Sequence, residues 1–180
     1  MTAQKQNRSD AGIWQTEPGL SGPPIDDLMC GWLLEPGLLT ARLRTQCGEK
    51  FRLQLVNENH SDDLANNEEK MLYRQVALCC GNEPCIYAES RIPLTTANAH
   101  FWLRDLGNEP LGERLQEKEN VSRSAFAYAY LLPDILPEWI RNYIDEDKHE
   151  LWARRSEYFI GEHSLEVTEY FLPGVLACST

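Results

Sequence analysis

The sequence contains no apolar run that approaches the roughly 20 residues needed to cross a membrane as a helix. Residues 1–24 are polar and rich in Gly, Ser, Gln and Pro, and they lack the apolar core of a secretory signal peptide. We therefore expect a cytoplasmic protein without a membrane span. We also expect residues 1–24 to form a flexible leader, with Trp14 as a candidate to pack on the body, and residues 25–180 to form a single domain.

Basic residues are scarce, since 17 Lys and Arg stand against 28 Asp and Glu and give a formal net charge of −11. A surface of this sign repels phosphate backbones and anionic membranes, so nucleic acid is not an expected partner. An anionic small molecule would need a local basic pocket within this unfavourable field. The hydrophobic content of 42% is typical of a chain that buries a core and indicates a globular domain.

The sequence has no Cys-x-x-Cys pair, and no histidine is spaced to complete a tetrahedral metal site. In a reducing compartment cysteines are expected to be free thiols rather than disulfides. Within strands they act as small apolar packing residues. We therefore predict no metal site from the six cysteines, which are Cys30, Cys47, Cys79, Cys80, Cys85 and Cys178.

Alternation of apolar and polar residues predicts strands that are joined by hairpins, with helices segregated between them. The predicted strands are Lys50–Val56, Met71–Cys80, Cys85–Ile92 and a closing pair within Leu151–Pro173 that turns at Gly161–Ser164. The predicted helices are Ile25–Leu34, Leu38–Arg44, Thr96–Leu106, a short turn at Pro110–Gly112, and Glu138–Glu150. Residues 120–131 fit a strand or a helix. The pattern indicates an α+β fold with an antiparallel sheet.

Glu169 is an anomaly in the last strand. Side chains two apart share a face of a strand, so Glu169 points the same way as Leu165, Val167 and Phe171. A carboxylate on an apolar face is desolvated, which is unfavourable unless a partner or a function compensates.

Arg74 is a similar anomaly, because it shares a face with Leu72, Val76 and Leu78. If Arg74 and Glu169 face one cavity, they place a cation and a desolvated acid inside it, and the planar guanidinium of the arginine matches a carboxylate ligand. Two alternatives remain open at this point: the two residues form a buried structural ion pair, or they face water. Of the neighbours Arg154 and Arg155, at most one can point inward, and we expect Arg155 to be a surface charge.

Several segments, taken in order, resemble the chorismate pyruvate-lyase family over about residues 28–173. These segments are Arg74-Gln-Val-Ala-Leu78, Gly81-Asn-Glu-Pro84, Ala88 to Ile92-Pro93, Leu106-Gly to Pro-Leu-Gly112, Leu151-Trp-Ala-Arg-Arg-Ser156 and Thr168-Glu-Tyr-Phe-Leu-Pro173. The resemblance implies an enzyme that eliminates pyruvate from chorismate and leaves 4-hydroxybenzoate for ubiquinone biosynthesis. It also implies an antiparallel sheet with helical flaps over an internal ligand cavity, and no cofactor; we expect a monomer.

The resemblance places catalytic and binding roles on four positions. Arg74 would bind the ring carboxylate, and Glu169 would face the ring hydroxyl, either as a proton donor or as a positioning group. Leu39 and Leu111 would contribute backbone N–H groups and apolar wall to the substrate site.

The chain departs from the family pattern in one hairpin, where Cys85 replaces an aromatic residue and Glu89 replaces a basic one. Arg91 shares a strand face with Glu89, so the two are candidates to pair. This charge reversal keeps one alternative open, a non-catalytic module that binds an aromatic carboxylate as a sensor. The absence of a helix-turn-helix segment disfavours a regulator that stands alone.

Overall fold

The computed structural model describes residues 14–19, 22–60, 70–133, 136–144 and 150–178. Its strands are β1 (Phe51–His60), β2 (Met71–Cys80), β3 (Glu83–Pro93), β4 (Val121–Arg123), β5 (Ala127–Leu131), β6 (Leu151–Ile160) and β7 (His163–Phe171). They form one seven-stranded sheet in the order β1-β2-β3-β7-β6-β4, and β5 also pairs with β6. Every pairing is antiparallel. The predicted α+β fold is confirmed.

Short helices cover both faces of this sheet. They are α1 (Asp27–Leu33), α2 (Leu39–Cys47), α3 (Leu94–Ala99), α4 (Leu111–Gln116), α5 (Glu138–Arg141) and α6 (Gly174–Ala177). Leu78 and Ile86 belong to the core that α1, α2 and α6 cover, whereas Ala77 and Tyr87 pack with α5 on the opposite face. Successive residues of one strand thus bury against different helices, as a strand with alternating side chains requires. No helix in the described ranges is both long enough and apolar enough to span a bilayer.

Two tight hairpins fix the register of β2 with β3 and of β6 with β7, the strands that carry Arg74 and Glu169 and their neighbours. Gly81 and Gly161 open the β2–β3 and β6–β7 turns with φ of 63° and 61°. A two-residue hairpin turn needs positive φ at its first position, which glycine adopts without steric cost. In the second hairpin Ile160 pairs with His163 across the turn. Both hairpins lie where the sequence predicted them.

Three segments differ from their predictions. The predicted helix Thr96–Leu106 is broken after α3, because His100 adopts φ −127° and ψ 75° and a 3₁₀ turn follows at Phe101–Arg104. The predicted helix Glu138–Glu150 is helical only in α5, and its part at 145–149 lies outside the described residues. The ambiguous segment 120–131 forms strands β4 and β5, because both find a partner in β6.

The expectation that all cysteines are free thiols is wrong for one pair. A disulfide joins Cys47 to Cys80, with Cα atoms 5.5 Å apart. Cys47 ends α2 and Cys80 ends β2, so only the packing of the helix on the sheet brings them together. The other four cysteines are free.

Part of the predicted leader contacts the body of the protein. Gln15 forms a β-bridge with Tyr128, with backbone N···O distances of 2.9 and 2.7 Å. The indole of Trp14 lies 4.4 Å from the guanidinium carbon of Arg155. Trp14 therefore packs on the sheet, as the sequence suggested.

Candidate functional site

A small internal cavity of about 60 Å³ lies between the sheet and the first residues of α2 and α4. Its floor consists of side chains from one face of β2, β3 and β7, and its cover comes from the segments that open the two helices. The floor includes Val76, Leu78, Ala88, Ser90, Val167 and Glu169, and the cover includes Leu38, Leu39, Thr40, Pro110, Leu111 and Gly112. The two covering segments also pack on each other, since a Cβ on Gly112 would lie 2.8 Å from Cδ2 of Leu38. The predicted arrangement of helical flaps over an internal cavity is therefore present.

Glu169 lines this cavity and is held by a buried arginine on the neighbouring strand. The Nε–H of Arg154 donates to Oε2 of Glu169 over 2.6 Å, and the two residues are directly opposite in the β6–β7 register. The side chain of Arg154 is 1% exposed and that of Glu169 is 19% exposed. Such a charge-assisted contact is short and directional, so it fixes the orientation of the carboxylate.

Arg154 is itself fixed by the segment between α1 and α2. Its Nη1 donates to the carbonyl oxygens of Leu33 and Glu35 over 3.3 and 2.6 Å. Its guanidinium carbon also lies 4.1 Å from the ring of Phe126. These contacts place the guanidinium of Arg154 beneath the segment that leads into α2, whose first residue is Leu39. Glu169 therefore pairs with a cation that is itself held in position.

Arg74 stands at the edge of the same cavity. It shares a face of β2 with Val76 and Leu78, and its cross-strand partner is Ser90; all three of these neighbours line the cavity. Arg74 is 1% exposed, and its Nη2 donates to the carbonyl oxygens of Gly107 and Glu109 over 2.9 and 2.8 Å.

The remaining nitrogens of Arg74 are unusual. Nε and Nη1 are buried and find no hydrogen-bond partner among the residues that the structure describes. Burial lowers the pKa of the Arg74 guanidinium, and Glu58 on β1 opposes part of that shift. Buried polar groups are almost always hydrogen-bonded, so a buried cation with unpaired donors indicates a place for an anion.

Leu39 and Leu111 are the first residues of α2 and α4, and both are buried beside the cavity. The first N–H groups of a helix have no partner within the helix. These two residues therefore present apolar side chains to the cavity and backbone donors at its cover. Three of the predicted site residues, Leu39, Leu111 and Glu169, line one cavity, and Arg74 adjoins residues that line it. The role of each stays a prediction.

A second, more open hollow of about 440 Å³ adjoins the cavity and shares Leu38, Leu115 and Tyr158 with it. Arg123 and Lys118 lie in its wall, and Arg123 donates to the carbonyl oxygen of Pro36 over 2.8 Å. Burial raises the pKa of Tyr158, and a hydrogen bond with Arg123 opposes that shift. This basic hollow connects solvent to the wall of the cavity, so we call it the vestibule.

Comparison with known families identifies the arrangement. The family model described as chorismate lyase matches residues 9–177. The chain belongs to the chorismate lyase family. The resemblance found in the sequence is confirmed, and it extends over more of the chain than the motifs that first indicated it.

Curated members of the chorismate lyase family align along most of the chain. A probable chorismate pyruvate-lyase of Pseudoalteromonas atlantica is 30% identical over 172 residues, which cover 89% of this chain and 86% of that protein. A probable chorismate pyruvate-lyase of Shewanella sp. strain ANA-3 is 32% identical over 152 residues, covering 81% and 80%. Among solved structures, the C-terminal domain of the histidine utilization repressor from Pseudomonas syringae pv. tomato superposes with a TM-score of 0.52. It has 6% identity and covers 69% of this chain and 92% of that chain, so it supports the fold alone.

The two departures from the chorismate lyase pattern lie away from the cavity. Glu89 projects from the opposite face of β3, where its Oε2 accepts a 2.7 Å hydrogen bond from Nε2 of Gln75. Arg91 forms its salt bridge with Glu166 over 3.8 Å, so among the described residues it does not form the direct ion pair with Glu89 that the sequence suggested, although its charge acts on Glu89. Cys85 is fully buried in the core that α1, α2 and α6 cover. Neither residue lines the cavity.

Arg154 is absent from the predicted site residues, because strand alternation established only that Arg154 and Arg155 face opposite sides. A signal was available in the hairpin. With a two-residue turn that pairs Ile160 with His163, residue 154 must lie opposite residue 169. Arg155 is half-buried and lies 3.9 Å from Glu166, as expected of a salt-bridged surface charge.

The alternative of an ion pair between Arg74 and Glu169 is wrong. Glu169 pairs with Arg154, and the hydrogen bonds of Arg74 go to backbone carbonyls. The two anomalies in the sequence are therefore separate groups at different places around the cavity.

Proposed function

We propose that this chain is a cytoplasmic chorismate pyruvate-lyase, which converts chorismate into 4-hydroxybenzoate and pyruvate for ubiquinone biosynthesis. The observation that supports this best is the pair of charged groups around the enclosed cavity. A buried guanidinium with unpaired donors lies at its edge, and a positioned carboxylate lies in its floor. Chorismate offers a ring carboxylate for the first group and a ring hydroxyl for the second.

Arg74 would bind the ring carboxylate. Its Nε and Nη1 supply buried donors, and the backbone N–H groups at Leu39 and Leu111 supplement them. A charge-assisted hydrogen bond is strong in a water-poor site, where the partner also relieves the unpaired donors of Arg74. The local cation compensates for the net negative charge of the protein, which otherwise repels a dianion.

Glu169 would orient the ring hydroxyl. Its Oε2 accepts the hydrogen bond from Arg154, which holds the carboxyl group in one orientation. The described residues give its Oε1 no hydrogen-bond partner, so this oxygen is available to a hydroxyl. We therefore favour the positioning role over the proton-donor role, the two alternatives that the sequence left open.

The reaction itself demands little acid–base chemistry from the protein. The bond between the ring carbon and the enolpyruvyl oxygen breaks, and the neighbouring, hydroxyl-bearing carbon loses its hydrogen. The hydrogen is gained by the methylene carbon of the leaving group, which becomes the methyl group of pyruvate, and the ring becomes aromatic. Because aromatisation supplies the driving force, holding the reactive conformation and stabilising the shifting charge account for most of the catalysis.

The vestibule offers a path for the second carboxylate. Arg123 and Lys118 place positive charge beside Tyr158, at the wall that the vestibule shares with the cavity. An enolpyruvyl group that extends from the cavity toward this wall would meet those charges. Pyruvate would then leave through the same opening.

The decisive experiment mixes the purified protein with chorismate and follows 4-hydroxybenzoate and pyruvate together. We expect equal amounts of the two products. The Glu169→Gln variant should lose turnover and still bind 4-hydroxybenzoate, because the amide keeps the shape of the carboxylate. Arg155→Met is the matched control, since Arg155 adjoins Arg154 in sequence but points to the other sheet face. Saturable binding of 4-hydroxybenzoate without any product from the wild type would contradict the lyase and favour a sensor.

A further inference from the structure

Four of the six cysteines converge at one end of the sheet. The Sγ atoms of Cys47, Cys80 and Cys178 all lie within 4.8 Å of one another. The Sγ of Cys85 lies 3.2 Å from that of Cys178. The four residues come from four different segments: the end of α2, the end of β2, the start of β3 and the residue after α6.

The fold builds this convergence through the β2–β3 turn. Cys80 and Cys85 flank the turn, and the backbone N–H of Leu172 donates to the carbonyl oxygen of Cys85 over 2.9 Å. Helix α6 then packs tightly on the same turn, since a Cβ on Gly174 would lie 2.5 Å from the carbonyl oxygen of Pro84. This close approach fixes the position of Cys178, the residue that follows α6. The packing of the backbone, and not the rotation of flexible side chains, therefore brings the four cysteines together.

We propose that in the reduced chain the thiolates of Cys47, Cys80, Cys85 and Cys178 form a tetrahedral site for a thiophilic divalent cation such as Zn²⁺. Tetrahedral Zn²⁺ with Zn–S bonds of about 2.3 Å places its four sulfurs roughly 3.8 Å apart. The Sγ atoms of Cys47, Cys80 and Cys178 lie within 4.8 Å of one another, and Cys85, whose Sγ lies 3.2 Å from that of Cys178, completes the set once the side chains of the reduced cluster rotate toward a shared centre. Soft thiolate ligands select such cations over Mg²⁺ and Ca²⁺, which prefer oxygen.

The disulfide and the metal site are two exclusive states of this cluster. A dithiol reductant supplies two electrons and two protons to the Cys47–Cys80 disulfide, yields two thiols, and is itself converted to a disulfide. The cation then displaces four thiol protons as the four Zn–S bonds form. A disulfide uses two of the converging sulfurs, whereas a tetrahedral site uses all four.

The site would be structural, because four protein ligands leave no position open for substrate. It would tie α2, whose first residue covers the cavity, to the β2–β3 turn and to the last described residues of the chain. The proposed metal site is separate from the proposed lyase site, since no cysteine of the cluster lines the cavity.

The test is an anaerobic titration of the fully reduced, metal-free protein with Co²⁺, which reports tetrahedral thiolate coordination through its visible and charge-transfer absorption. We expect one Co²⁺ per chain, displaced by one Zn²⁺. The Cys178→Ser variant should lose the tetrahedral spectrum and bind Co²⁺ at least tenfold more weakly. Cys30→Ser is the matched control, because Cys30 is a half-buried free cysteine on α1 outside the cluster.

A second sample, oxidised until the Cys47–Cys80 disulfide is quantitative by mass spectrometry, should bind no Co²⁺ until it is reduced again. Circular dichroism of each variant confirms that it is folded. The proposal is overturned if the reduced wild type gives no tetrahedral spectrum. It is equally overturned if Cys178→Ser, folded, titrates like the wild type.

Discussion

Arg154 donates its Nε–H to Oε2 of Glu169 over 2.6 Å across two adjacent antiparallel strands, with the arginine fully buried and the glutamate partly buried. This contact joins the cavity to the flap, because the same guanidinium holds the carbonyl oxygens of Leu33 and Glu35. The carboxylate in the cavity is therefore positioned by the segment that leads into α2.

Breaking this pair from the arginine side should destabilise the protein. We expect Arg154→Met to lower the free energy of unfolding by about 3 kcal/mol, because it leaves Glu169 without its cation in a largely buried place. Urea denaturation measures the change. Arg155→Met, which removes a longer and half-exposed contact, should cost about 1 kcal/mol or less.

The double variant Arg154→Met, Glu169→Leu separates the ion pair from the packing of Arg154. If the pair is coupled, removal of both charges recovers part of the stability lost in Arg154→Met. If the double variant loses as much stability as Arg154→Met and Glu169→Leu lose in sum, the contact between the two side chains contributes little.

Arg74 should dominate the binding of the product. We expect Arg74→Met to weaken 4-hydroxybenzoate binding by about 2–5 kcal/mol, since the variant removes a buried cation from a charge-assisted contact. Isothermal titration calorimetry measures the affinity. Arg91→Met, on the opposite face of the same hairpin, is the control and should bind normally. Unchanged affinity in Arg74→Met would remove Arg74 from the site.

Glu89 should make stability depend on pH. Burial raises the pKa of Glu89 above its ordinary value of 4.5, although the hydrogen bond from Gln75 and the charge of Arg91 oppose the shift. The folded state then holds the proton more tightly than the unfolded state, so stability falls as the pH rises from about 4.5 through the raised pKa.

The variant Glu89→Gln removes this loss. It should be more stable than the wild type at pH 7 and no more stable at pH 3, where Glu89 is protonated in both states. Thermal unfolding of both proteins across this range measures the difference. An advantage that does not vary with pH would contradict the assignment to Glu89.

A side chain at Gly174 should destabilise the protein. A Cβ there would lie 2.5 Å from the carbonyl oxygen of Pro84, a backbone atom that moves only with the hairpin. We expect Gly174→Ala to lower the free energy of unfolding by about 1–3 kcal/mol. Gly31→Ala is the control, because its nearest new contact would be the side-chain end of Arg42 at 3.5 Å. Gly31 lies within helix α1, where alanine is favoured over glycine by up to about 1 kcal/mol. Chemical denaturation of both variants should show changes of opposite sign.

Much of the site could be predicted because strand alternation is a local property. The two-residue period places Arg74 with Val76 and Leu78, and Glu169 with Val167, whatever the rest of the chain does. The hairpin turns are likewise local, since Gly81 and Gly161 satisfy their backbone demands within a few residues. The helix at 96–106 failed for the opposite reason, because no local signal marks the break at His100.

The sequence by itself determined the fold class, the family and the residues that share each strand face, because these depend on periodicity and on short motifs. Only the tertiary structure decided which face lies under the flaps, because that choice depends on the order of strands in the sheet and on where α2 and α4 pack. It placed Glu89 on the far face and gave Glu169 a cation from a neighbouring strand. It also brought together Cys47, Cys80, Cys85 and Cys178, whose spacing along the chain carries no sign of their contact, because contacts between distant segments form only when the whole core packs.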